Sequence, residues 1–282
     1  MPQHTSPPQV ASSEDPSRPS RKPLLIGAVV GVVAVLAVVI GFAAFSGPPA
    51  ASPAGIAAGE VAPAAGELPL SSTYTTVDGA PQDSAATSKT DGLVVHPIRE
   101  TPVHDAPNGR AIARMEPTQI GDTWLPVIGE DSDWVQVLLP SKPNGSTGWL
   151  RSEDVKRANT PYLVTVHLGS KKLELHRDDK VVGQWTVGIG KESAPTPTGR
   201  TFLLGAFSDK KQTYSPVILP LGTHSPTHDT FGGGPGTVAI HTWPTDDVYG
   251  TATSDGCIRV PADALDQLSE VPLGTLVMID ED

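Results

Sequence analysis

The chain has 282 residues and carries 20 Lys or Arg against 31 Asp or Glu, a formal charge of −11. That balance excludes a protein that coats nucleic acid, because such binding is driven by basic patches that release counterions. Gly and Pro, at 28 and 29, exceed average usage, and all five Trp lie between Trp124 and Trp243, so folded mass is expected in the C-terminal two-thirds.

The first predicted element is Leu24 to Phe45, LLIGAVVGVVAVLAVVIGFAAF, without a charge, amide or hydroxyl. A helix of that length spans the hydrocarbon core of a bilayer. Arg18, Arg21 and Lys22 precede it and Glu60, Glu67, Asp78 and Asp83 follow it. The positive-inside rule then makes 1–23 a cytoplasmic tail and puts everything after 46 outside, in a single-pass protein of the cell membrane. The alternative, a cleaved signal peptide, has a shorter apolar region of about 7–15 residues. Residues 46–90, rich in Ala, Pro, Gly, Ser and Thr, predict a disordered linker, because they lack the apolar surface to offset ordering.

Residues 91–157 predict a small β-barrel. Thr123–Ile128, Trp134–Leu139 and Gly148–Leu150 are short β-prone runs separated by turn signals such as Pro143-Asn144-Gly145. Trp134–Leu139 is apolar on both faces except at Gln136, so one face is expected to be partly exposed or covered by a neighbouring domain. Its three Trp read as core packing in preference to a ligand platform. GDTWLPVIGEDSDWVQV followed by LPSKPNGSTGWL resembles a bacterial SH3-like domain of the kind attached to cell-wall enzymes.

Residues 160–282 predict a second, mainly β domain. Strand-like runs recur at 162–168, 172–176, 181–187, 200–207, 214–219, 238–241 and 276–279, with one short helix near Ala262–Val271, between Pro261 and the Pro272/Gly274 stop. Gly222–Gly236 reads as a flexible lid. Its His224, His228 and Asp229 have a spacing that would also suit a metal, but the lid is the preferred reading. His167 and His176 read as sheet positions.

Cys257 is the only cysteine, so it cannot form an intramolecular disulfide. It is either a small buried hydrophobe or a nucleophile, which needs an imidazole nearby and a group to orient that imidazole. His241 ends the apolar run Val238-Ala239-Ile240, and a folded-back loop would bring the two together. Spacing alone leaves both readings open.

The wording around these residues is more specific. Val-Ala-Ile-His241, then Ser-Asp-Gly-Cys257-Ile-Arg, resembles the signature of the L,D-transpeptidases with a YkuD-type catalytic domain. Val187-Gly188-Ile189-Gly190, the Thr196-Pro197-Thr198-Gly199 turn and the closing run Gly274–Ile279 are similar to elements of the same family, in the same order.

The resemblance implies a β-sandwich catalytic domain with Cys257 as nucleophile, His241 as proton acceptor and the Thr242 carbonyl orienting the ring. Ser254, Gly256 and Arg259 fall on motif positions. The amides of Cys257 and Gly256 are candidate oxyanion donors. Arg259 is a candidate for a substrate carboxylate, or else for an ion pair with Asp255 or Asp263. Trp243 and Tyr249, between base and nucleophile, contact substrate or pack in the core. The chain departs from many members at Asp255, where they have His, and at Thr242, where they have Gly. Asp255 would raise the thiol pKa.

The implied reaction is attack on a peptidoglycan stem tetrapeptide, release of D-Ala, and a 3→3 cross-link made from a Cys thioester, without a cofactor. Carbapenem-type β-lactams are implied as acylating inhibitors. The alternatives are an L,D-carboxypeptidase on the same scaffold and a non-enzymatic wall-binding protein.

Overall fold

The computed structural model describes residues 68–231 and 233–282. The predicted tail, the apolar segment 24–45 and the linker as far as 67 lie outside the described residues. Among the described residues no helix is long and apolar enough to cross a membrane.

The first domain is a seven-stranded antiparallel sheet. Its strands are β1 (Leu93–Pro97), β2 (Thr101–His104), β3 (Ala111–Met115), β4 (Leu125–Asp131), β5 (Trp134–Leu138), β6 (Thr147–Arg151) and β7 (Val155–Asn159). They follow the order β3-β2-β6-β5-β4-β1-β7. β5 is buried along both faces, and Gln136 is its one half-buried residue. Gln136 turns its amide to the Thr147 hydroxyl at 3.1 Å. The cover foreseen for the second face is real: Val77, Phe202, Leu204 and Leu276 belong to the same apolar cluster as Val135, Val137 and Leu138. Trp134 is 3% exposed, with the Arg151 guanidinium 4.6 Å from its ring centre, which is core packing.

Residues 68–90 are not a disordered linker. They form an ordered strap along the first domain. Leu70 bridges Arg114 at the β3 edge, Thr76 bridges Lys142 and Gln82 bridges Ser146. The Ser71, Lys142, Val77, Asp83 and Thr147 amides all donate across this seam at 2.8–3.0 Å. The strap thereby satisfies backbone groups that an open sheet edge would leave unpaired. Composition misses this, because the ordering comes from main-chain bonds and Val77 is the strap's only large side chain in that core.

The second domain packs two sheets around one core. Strands β8 (Tyr162–His167), β9 (Lys172–Arg177), β10 (Lys180–Thr186), β11 (Gly199–Phe202) and, after the helix, β15 (Leu276–Asp280) form the order β10-β9-β8-β15-β11. β12 (Leu219–His224), β13 (Thr237–His241) and β14 (Ile258–Arg259) form the second sheet, with β13 and β14 parallel. Leu173, Leu175, Val238, Ile240, Ile258 and Val277 meet in the core. Helix α1 (Ala262–Ser269) buries Ala264, Leu265 and Leu268 on one stripe.

Two boundaries move. The run expected at 214–219 is irregular until Ile218, which bridges Phe207. Pro216 cannot donate to a ladder, and the strand begins at Leu219. That strand continues to His224 and is buried throughout, so the lid reading fails for 222–224. The remainder of the segment carries a short hairpin, Thr230–Phe231 against Gly234–Pro235.

Candidate active site

Strand alternation assembles the site. Ile240 pairs with Ile258 across the parallel β13–β14 contact, and both are 0% exposed in the core. Side chains alternate along a strand, so His241, Arg259 and, one residue before the strand, Cys257 turn to the other side. Motif residues sixteen positions apart are thus placed on one face at the end of a sheet.

His241 is 6% exposed. Its Nδ1 lies 2.8 Å from the Thr242 carbonyl, so Nδ1–H donates there and Nε2 keeps its lone pair for a proton. Burial pushes the imidazole below the ordinary histidine range. The Thr242 carbonyl pulls it back up and the Arg259 charge lowers it further. Thr242 is itself fixed: its amide donates to the Ser215 hydroxyl at 3.0 Å and its hydroxyl to the Tyr214 carbonyl at 2.8 Å. Thr242 is therefore a tie between the base and the 214–215 segment. The Tyr214 ring packs 4.9 Å from the imidazole, a contact that no sequence pattern announced.

Cys257 is half-buried. Burial raises its thiol above the ordinary value, the Ala239 amide and Arg259 act to lower it, and Asp255 adds to the rise. Burial thus works against the charged form of both groups, raising the thiol and lowering the imidazole.

The turn before the nucleophile is tightly held. Ser254, 1% exposed, donates to the Cys257 carbonyl at 2.6 Å and accepts the Gly256 amide at 3.2 Å. Gly256 has φ +114°, a region that L side chains rarely adopt. The Gly256 amide is committed to Ser254, so of the two expected oxyanion donors the Cys257 amide is the one without a bond among the described residues. Thr196 completes the support: it donates to the Gly256 carbonyl at 2.8 Å and accepts the Gly190 amide at 2.9 Å. Gly190 lies so close to the Thr196 backbone that a Cβ would clash, which gives the glycine of that run a physical reason.

Arg259 forms no ion pair with Asp255 or Asp263. Its guanidinium lies over the Trp243 ring, 3.9 Å from the centre, and donates to the Thr253 hydroxyl at 3.3 Å. Asp263 instead accepts from the Trp185 indole at 2.8 Å. Asp255 pairs with Lys191 at 2.6 Å, with His228 at 3.9 Å, and Lys191 holds its carboxyl below the usual range. Trp243 therefore belongs to the site wall. Tyr249 donates its hydroxyl to the Val260 carbonyl at 3.2 Å and acts as packing.

The metal spacing does not become a metal cluster. His224 is buried with Nε2 on the Thr73 carbonyl at 2.8 Å, whereas His228 stacks on Phe231. Among the described residues no group of three His, Cys, Asp or Glu is placed to hold a metal ion. His167 and His176 bond to Asp280 and Glu174 on their own sheet.

Two segments of the chain match known domain families. Residues 161–279 match the family model of the L,D-transpeptidase catalytic domain, YkuD, and residues 122–157 match the YKFC SH3b2 domain. The chain is 29% identical over 167 residues to "Putative L,D-transpeptidase YkuD" of Bacillus subtilis (strain 168), covering 56% of this chain and 94% of that protein. A protein of the same name from Bacillus licheniformis matches with the same identity and coverage. Among solved structures, L,D-transpeptidase 3 from Mycobacterium tuberculosis with a faropenem-derived adduct aligns at TM-score 0.40 and 11% identity, over 56% of this chain and 93% of that one. An L,D-transpeptidase from Mycobacterium smegmatis aligns at TM-score 0.35 and 12% identity, over 55% and 99%. Residues 161–279 are thus similar to the YkuD-type L,D-transpeptidase catalytic domain, and residues 122–157 to an SH3b-type domain.

Proposed function

We propose that this protein is a peptidoglycan L,D-transpeptidase that forms 3→3 cross-links through a Cys257 thioester. The observation that carries the reading is the His241–Thr242 contact, which leaves Nε2 as the free base on the face that Cys257 shares.

In the first half-reaction Nε2 takes the thiol proton as the sulfur attacks the carbonyl between the third and fourth stem residues. The Cys257 amide donates to the developing oxyanion. The C–N bond then breaks, the imidazolium returns its proton to the leaving D-Ala amine, and a thioester remains. In the second half the side-chain amine of a diamino acid on a neighbouring stem attacks the thioester, His241 removes the amine proton, and the thiol is regenerated. Arg259, braced on Trp243 and lacking a carboxylate partner among the described residues, is the candidate anchor for a stem carboxylate. Lipid anchoring through 24–45, with the folded domains extracytoplasmic, completes the proposal and rests on the unbroken apolar run.

The test incubates the full chain with a carbapenem and, separately, with stem tetrapeptides, alongside Cys257→Ala. A drug-sized mass gain absent from the variant, together with a cross-linked dimer and free D-Ala, is the expected result. Tripeptide without dimer would make the enzyme a carboxypeptidase. No adduct on folded wild type would leave a wall-binding protein.

A further inference from the structure

The strap that precedes the first domain is tied to the second one through a buried ion pair. Asp83 receives the Arg200 guanidinium on both oxygens, Nε at 2.5 Å and a terminal nitrogen at 2.7 Å. The two side chains are 3% and 4% exposed. The other terminal nitrogen of Arg200 donates to the Ser88 carbonyl at 3.0 Å, so the guanidinium is held entirely by the strap. Burying a full ion pair carries a large desolvation cost, which apolar side chains of the same volume would avoid. What the bidentate fork adds is orientation.

The element oriented is the turn under the nucleophile. Arg200 follows Pro197-Thr198-Gly199 directly, and Ala86 of the strap lies against Gly199. Thr196, at the start of that turn, grips the Gly256 carbonyl. The Gly256 carbonyl and the Cys257 amide belong to the same planar peptide unit. Fixing the carbonyl therefore fixes the direction of the amide that faces the oxyanion. We propose that Asp83 is a positioning residue, which aims the Cys257 amide through Arg200, the 196–199 turn and the Thr196–Gly256 hydrogen bond. This rests on the reading of Cys257 as an acylated nucleophile.

Acylation and alkylation separate this role from simple structural support. Attack on a β-lactam carbonyl needs the oxyanion donor, whereas alkylation by iodoacetamide passes through no oxyanion. In the full chain, Asp83→Ala should lower the maximal rate of carbapenem acylation by about tenfold to a hundredfold, the scale of a small misplacement of a reacting group. The half-saturating drug concentration and the alkylation rate should stay at wild-type values. Asp83→Glu should recover part of the loss. Thr196→Val, which deletes both hydroxyl bonds without touching the ion pair, should reproduce it, and it supplies the same readout if Asp83→Ala does not fold. Equal falls in acylation and alkylation, or no fall in either, would overturn the proposal. A wild type that alkylates but never acylates would overturn the nucleophile reading and take this one with it.

Discussion

The nucleophile loop, Ala252–Arg259, and the strap, residues 68–90, are both poor in large apolar side chains and rich in Ser, Thr and Gly. Both are nonetheless ordered, and by different means. The turn of the loop is stitched to itself, where Ser254 bonds to both sides and Gly256 permits the backbone to follow, and Thr196 and Lys191 add bonds from a distance. The strap is stitched to other parts of the chain, by ladder bonds to Lys142 and Ser146 and by one ion pair to Arg200. Bonds closed within a turn announce themselves in a short sequence pattern. Bonds closed at a distance do not.

The largest expected effects lie in the loop. Cys257→Ala should abolish transfer and acylation altogether. His241→Gln, which removes the base, should lower the acylation rate by about 10²- to 10⁴-fold, the usual worth of a positioned general base. Intact mass against time measures both. If His241→Gln acylated at the wild-type rate, the free Nε2 would have no role and the loop would lose its distinction.

The strap should show itself in stability. Asp83→Ala leaves a buried guanidinium without its counter-charge, a change that costs about 3–5 kcal/mol. Replacing both partners, as Asp83→Leu with Arg200→Met, should cost clearly less, because no buried charge is stranded. Denaturant unfolding of the full chain measures the two. Equal losses in single and double variants would mean that the strap contributes packing only.

Acid tests both regions, since a lowered histidine borders each. His241 is lowered by burial at the site, and His224 is lowered by burial, against the upward pull of the Thr73 carbonyl of the strap that it bonds. A group whose folded pKa lies below its unfolded value, about 6.5 for histidine, favours folding when neutral. Its contribution is complete above the unfolded value and is lost as pH falls from there through the folded one. The melting temperature should therefore decline as pH drops below about 6.5. His224→Gln, which can still donate to Thr73, should flatten that decline without changing the acid limb of acylation. That limb belongs to His241 and should lie below the ordinary histidine range.

Much of the site was legible because the chemistry confines it to few residues. One Cys, a strand-end His and a Ser-x-Gly-Cys-x-Arg pattern leave little freedom, and the alternation Ala239-Ile240-His241 already implies which side the ring takes. The second domain's strands were legible where side chains alternate, as in Leu173 and Leu175, and blurred where Pro216 interrupts. Tyr214 was missed because it reaches His241 from 27 positions away, across an irregular segment. The strap was misread because Ala, Pro, Ser and Thr say nothing about main-chain partners, and Asp83 looks like any surface carboxylate until Arg200 is placed beside it. His224 shows the reverse error: Gly, Pro, Thr and His suggested a loop, while all six residues from Leu219 to His224 are buried.

The smallest effect concerns Asp255, where the loop meets the exposed rim. Its pair with Lys191 is about half exposed on both sides, and such pairs contribute only about 0–1 kcal/mol. Asp255→Asn should hardly move the melting temperature. The thiol, however, senses the same carboxylate: Asp255 adds to the rise in the Cys257 pKa, although Lys191 neutralises part of that charge. Removing it should lower the thiol pKa and raise iodoacetamide alkylation near pH 8 by about twofold, since thiolate fraction follows the pKa directly. Lys191→Met should do the opposite by leaving the carboxylate unopposed. Opposite shifts from two neighbouring variants, with stability unchanged, would show that Asp255 tunes the nucleophile electrostatically. Parallel shifts would mean that both residues merely brace the loop, as Ser254 does.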